Sequence, residues 1–130
     1  MVWQNAALVG AGFIGTAVAV LHGVLLQRLM VAPLSRLAAH AEPHVSASLQ
    51  RLIAPLLHFS TAVWFAGGLA LIAAGVLLPP DVRLTVSILV GGTYLFGAIF
   101  NFWATRGRHP GWMLLAAALV LIVLGGWSLT

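Results

Sequence analysis

Four long apolar runs, nearly free of charge, decide what this chain can fold into: residues 6–30, 52–78, 81–105 and 111–129. Crossing the hydrocarbon core of a bilayer takes about 20 predominantly apolar residues in a helix. In lipid no water satisfies a peptide group, so an exposed run must close its hydrogen bonds internally. Each run is therefore expected to be a helix. Charged residues make up 6% of the chain and hydrophobic ones 62%, whereas a soluble domain carries about 25% charged residues. A water-facing surface cannot be assembled from this set. The expected fold class is all-α: a polytopic membrane protein, an antiparallel four-transmembrane-helix bundle, with residues 1–130 forming one membrane domain.

Breakers and caps set the boundaries. Pro79 and Pro80 end the second run, because proline cannot continue the helical ladder. Asp81 offers an N-cap to the third run. Gly107 is the expected C-terminal cap of that run. Pro110 opens the fourth. Trp112 and Trp127 fall near its two ends, as an aromatic belt requires. The short links after the second and third runs force antiparallel neighbours. The first link, residues 31–51, is longer. Leu34, Leu37 and Ala41 share a helical face before Pro43, and Val45, Leu49 and Leu52 share one after it. This pattern predicts an interfacial amphipathic loop.

All six basic residues are arginines, and the formal net charge is +4. Arg28, Arg36, Arg51, Arg106 and Arg108 fall on one side of the expected topology, and Arg83 alone on the other. Basic loops face the cytoplasm. The sequence therefore predicts cytoplasmic Arg-rich loops, both termini outside, and residence in a bacterial inner membrane. Because the arginines flank apolar spans, the charge reads as topology with the lipid bilayer as partner, and not as nucleic-acid binding. No basic segment precedes the first apolar run, so no cleaved leader is expected. The chain has no cysteine, which removes disulfides and thiolate metal sites.

Helices in lipid associate through close packing at small residues. The first span carries Ala7, Ala11, Gly15, Ala19 and Gly23 at four-residue spacing. The second carries Ala62, Ala66, Ala70 and Ala74, and the third Thr93, Gly97, Asn101 and Thr105. These stripes are expected to face one another. Any of them could equally serve as a seam for a homo-oligomer or for subunits of a larger membrane complex.

Few polar side chains lie within the spans, and function is sought there. At a helical rise of about 1.5 Å per residue, His22, His58 and Asn101 lie roughly 7–12 Å inside the Arg-rich boundary. Three helices thus bring polar groups to a similar depth. Arg51 lies two turns before His58 on the same face. These four residues predict a cytoplasm-facing polar site for binding or transport. The bland alternative is that each imidazole bonds a neighbouring hydroxyl, amide or carbonyl and holds the bundle together. Two imidazoles at equal depth also suit a metal, with His22 and His58 as ligands of haem b or copper. Arg106, Arg108 and His109 form a compact basic link suited to an anion or a lipid headgroup. No hydrolase triad, carboxylate pair, P-loop or dinucleotide fingerprint is present, and no catalytic residue is assigned.

The segment His58-Phe-Ser-Thr-Ala-Val-Trp64-Phe-Ala-Gly67-Gly68 resembles the His…Trp-x-x-Gly stretch of copper-resistance D-type and HemJ-like four-span membrane proteins. Met30 to Leu34 is similar to a further stretch of such families. The resemblance covers about an eighth of the chain and implies a haem or copper ligand at His58. The chain departs from the family pattern in having no lysine and in the order of its spans. Porphyrin oxidation is therefore not carried over. Three expectations stand: a binding or transport protein, a redox protein holding haem or copper, and a non-catalytic subunit of a membrane complex.

Overall fold

A computed structural model describes residues 2–41 and 45–126. Among them there is helix and no strand. Helix α1 spans Val2–Leu26 and runs through a π turn at Gln27–Val31 into α2, Ala32–Ala39. Helix α3 spans Ala47–Leu77, α4 Pro80–Thr105 and α5 Gly111–Gly126. Three helical stretches are long and apolar enough to cross a membrane: Val2–Ala39, Ala47–Leu77 and Pro80–Thr105. Helix α5 is equally apolar but has 16 described residues, about 24 Å of helix. Trp127 and the rest of the expected fourth span lie outside the described residues, as do Glu42, Pro43 and His44.

The helices enclose a four-sided bundle. Helix α1 packs on α3 and α5, and α4 packs on α5 and α3, so α1 and α4 lie across the diagonal. Successive helices reverse direction, and every side of the square joins antiparallel neighbours. Its centre holds Leu8, Leu71, Tyr94 and Leu115, all fully buried. The Tyr94 hydroxyl donates to the Trp64 carbonyl oxygen at 3.2 Å. Its ring reaches across the diagonal to Gly15, where a Cβ would land on the hydroxyl and ring edge. Outside, Phe13, Phe59, Phe96 and Trp103 are more than half exposed. So large an apolar exterior suits lipid and not water.

The small-residue stripes are used unequally. Ala11, Gly15 and Ala19 of α1 are buried, as expected. On α3, Ala62 and Ala66 face outward, and the packed face is Trp64, Gly67, Gly68, Leu71, Ala74 and Gly75. Glycine permits closer backbone approach than alanine, and that decides the rotation of α3. A Cβ at Gly68 would stand 2.8 Å from the Gly12 carbonyl oxygen. Alanine on the outer face costs little where the surroundings are apolar.

The expected loop over 31–51 is largely helical. The π turn buries Val31, and α2, which continues from it, buries Ala38, while Leu34 and Leu37 stay exposed. The Ser46 hydroxyl caps α3 by accepting from the Leu49 N–H at 3.3 Å. The Gln50 amide donates to the Val45 carbonyl at 3.0 Å and to that of Ala38 at 3.4 Å, tying the link to α3. Pro55 lies inside α3 and has no N–H for the carbonyl one turn earlier. At the opposite end, Arg83 donates to the Leu78 carbonyl at 2.7 Å and to the Asn5 side chain of α1.

A candidate binding cleft at the Arg-rich end

The α1–α5 seam is tight at one end and open at the other. A Cβ on Gly125 would stand 2.8 Å from both the Gln4 carbonyl oxygen and the Leu8 side chain. Towards the Arg-rich end the helices enclose a cleft of about 520 Å³. Val18, Leu21, Leu25, Leu114 and Leu115 give it apolar walls. The π turn places Leu29 and Met30 along it. Such turns insert one residue into the helical register and recur at functional sites.

Four polar side chains join this lining: His22 from α1, Asn101 and Thr105 from α4, and His109 from the α4–α5 link. The His22 ring rests against Trp64, with centroids 4.7 Å apart and planes tilted by 51°. His22 Nε2 lies 3.3 Å from Ser60 Oγ, whose own proton is directed to the Leu57 carbonyl at 3.5 Å. Ser60 therefore accepts, His22 carries its proton on Nε2, and Nδ1 is left as an acceptor. His109 is the same tautomer. Its Nδ1 accepts the Gly111 N–H at 3.0 Å, so Nε2–H is a donor. Both assignments follow from the hydrogen-bond network.

Thr105 links the remaining groups. Its hydroxyl donates to the Asn101 carbonyl at 2.7 Å and accepts the His109 N–H at 3.4 Å. The Asn101 side-chain oxygen is buried and has no hydrogen-bond partner among the described residues. A buried polar atom in that state costs about 1–3 kcal/mol. Among the described residues no arginine or carboxylate lines the cleft.

Of the four residues expected to form the polar site, the structure joins His22 and Asn101. His58 points elsewhere: its Nε2 donates to the Gln27 side-chain oxygen at 2.9 Å, across the α1–α3 seam. Arg51 is exposed, and neither residue lines the cleft. His22 and His58 thus bond different partners and do not converge on one cavity, an arrangement that does not fit a bis-imidazole haem or copper centre. Among the described residues no group of three or more His, Cys, Asp or Glu could hold a metal ion. The basic link is divided too. His109 lines the cleft, Arg106 lines a separate outer groove, and Arg108 is exposed.

Sequence reasoning passed over Ser60 and Gln27, the partners of the two histidines. The signal for Ser60 was available, since it is a polar residue two positions from His58, whereas Gln27 lies beside Arg28 at the span boundary. It also passed over Asn5, whose pairing with Arg83 depends on how α1 meets the α3–α4 corner. No protein-family model, curated protein or solved structure matches this chain, so its geometry carries the functional argument.

Proposed function

We propose that this chain is a four-span membrane protein that binds a small uncharged amphiphile in the α1–α5 cleft, with the Arg-rich end in the cytoplasm. The observation that carries this is the composition of the cleft: apolar walls, four polar side chains and, among the described residues, no arginine or carboxylate. Ligand sites of about 300–1,000 Å³ with apolar walls and a few convergent polar groups are typical of small-molecule binding. The apolar body of the ligand lies along Leu21, Leu25 and Leu114. Its polar group meets His22, Asn101 and His109, which together offer both donors and acceptors. A charged headgroup would be buried there without a counter-charge, at high cost. The Tyr94–Gly15 contact closes the interior beyond Trp64, which favours binding over passage through the bundle.

The test is mass spectrometry of organic compounds extracted from gently purified protein. Wild type is expected to retain a stoichiometric compound. Leu114→Trp, which fills the cleft, is expected to lose it, and His22→Ala to lower its occupancy. His58→Ala is expected to retain it. Equal occupancy in wild type and Leu114→Trp overturns the proposal.

A further inference from the structure

A second concavity lies on the outer side of α4 and α5. It measures about 700 Å³ and is lined by Ala98, Ile99, Phe102, Trp103, Arg106 and Trp112. Five of these are apolar or aromatic, and the sixth is a guanidinium at the helix end. Two contacts brace the groove there. Phe102 and Trp112 meet edge to face at 5.1 Å, and the Trp112 indole N–H donates to the Gly107 carbonyl at 3.1 Å.

The backbone of Arg106 is a separate observation. It adopts the left-handed conformation, φ 50° and ψ 39°, and is the one non-glycine residue with positive φ among those described. The Arg106 N–H bonds the Trp103 carbonyl at 3.3 Å and the Gly107 N–H bonds that of Phe102 at 2.9 Å. This is a Schellman termination with arginine at the position glycine or asparagine ordinarily takes. Sequence reasoning assigned the cap to Gly107. The structure gives the first left-handed position to Arg106 and the next, φ 73°, to Gly107. A side chain held at an unfavourable position invites a functional explanation.

No hydrogen bond or ion pair engages the Arg106 guanidinium among the described residues, where Asp81, at the far end of α4, is the one acid. We propose that this groove is a docking site for an anionic phospholipid of the leaflet at the Arg-rich end. The acyl chain lies along Ile99, Phe102 and Trp103, and the phosphate meets Arg106. Charge complementarity selects this occupant: an apolar tail fits the wall, and an unpaired arginine at the helix end takes the phosphate fork-on.

The test reconstitutes the whole chain in phosphatidylcholine vesicles carrying a minor fraction of phosphatidylglycerol brominated on its acyl chains, and reads tryptophan fluorescence. Brominated phosphatidylcholine at the same fraction gives the non-selective baseline. Wild type is expected to be quenched beyond that baseline by the anionic lipid. Arg106→Asn, which keeps the left-handed turn and removes the charge, is expected to weaken this preference about fivefold. Arg106→Lys is expected to retain most of it. In lipid-free detergent Arg106→Asn should melt at or above wild type, which separates lost binding from lost folding. Equal quenching of wild type and Arg106→Asn overturns the proposal. So does a preference abolished by free inorganic phosphate, which would make this a soluble-anion site, and so does an Arg106→Asn that melts below wild type.

Discussion

Gly15 and Tyr94 are the place to test whether α1 and α4 meet across the diagonal. A Cβ at position 15 would collide with the Tyr94 hydroxyl and with two ring carbons, Cζ and Cε2. Overpacking of this kind costs about 1–3 kcal/mol. Replacing a mid-helix glycine by alanine returns about 0.5–1 kcal/mol, so Gly15→Ala is expected to lose about 0.5–2 kcal/mol net. Tyr94→Leu removes all three colliding atoms, leaves a cavity and removes the side-chain hydrogen bond to the Trp64 carbonyl. That single change should cost about 2–4 kcal/mol. In the double variant the added methyl finds the vacated space. The double loss should fall short of the sum of the single losses by about 1–2 kcal/mol, within the span of about 0.5–3 kcal/mol seen for residues in direct contact. Denaturing-detergent titration of the four proteins, followed by far-ultraviolet circular dichroism, gives the cycle. Losses that add within about 0.3–0.5 kcal/mol would refute the contact, and with it the claim that Tyr94 closes the interior beyond Trp64.

The remaining predictions concern the two ends of the bundle. Arg83→Met leaves the Leu78 carbonyl and the Asn5 side chain without their donor, and should cost about 1–3 kcal/mol in the same titration; a neutral result would mean that water or lipid headgroups satisfy both acceptors equally well. Gly107→Ala places a Cβ 2.9 Å from the Phe102 ring at a residue with φ 73°, and should lower the melting temperature by an amount corresponding to about 1–3 kcal/mol. Gly92 is the control, since a Cβ there meets nothing within 4 Å. Gly92→Ala should leave stability unchanged or raise it by up to about 1 kcal/mol.

Apolar length and proline placement made the helices legible in the sequence, because in lipid those two features leave the backbone few choices. Rotation about each helix axis was not legible. The alanines of α3 repeat at the spacing expected of a seam, yet only Ala70 and Ala74 pack inward, and towards the Arg-rich end Gly67 and Gly68 take the packed face from Ala62 and Ala66. The same limit governed the polar residues. Depth was readable from residue count, and His22 and Asn101 do share one cleft. His58 lies at a similar depth but turns to Gln27. Nothing in one sequence distinguishes the two histidines, because the difference lies in which neighbour each face of the helix meets. The π turn was equally hidden, since its residues, Gln27 to Val31, carry no breaker.

The two ends of the bundle are built on different terms. One end is regular: Gly75 and Gly125 bring α3 and α5 against α1, and Arg83 bonds across to Asn5. The departures from regular helix gather at the other end, where the π turn, the internal proline of α3 and the left-handed Arg106 all lie. Each sacrifices hydrogen-bond regularity or backbone comfort, and a close-packed bundle would gain by losing it. The cleft and the outer groove occupy that same end, the first beside the π turn and the second beneath Arg106. Local rules are broken where a site needs the space or the side chain, and the stability for it is drawn from elsewhere in the fold. On that reasoning the packed end anchors the structure, and the Arg-rich end is left open enough for the ligand proposed above.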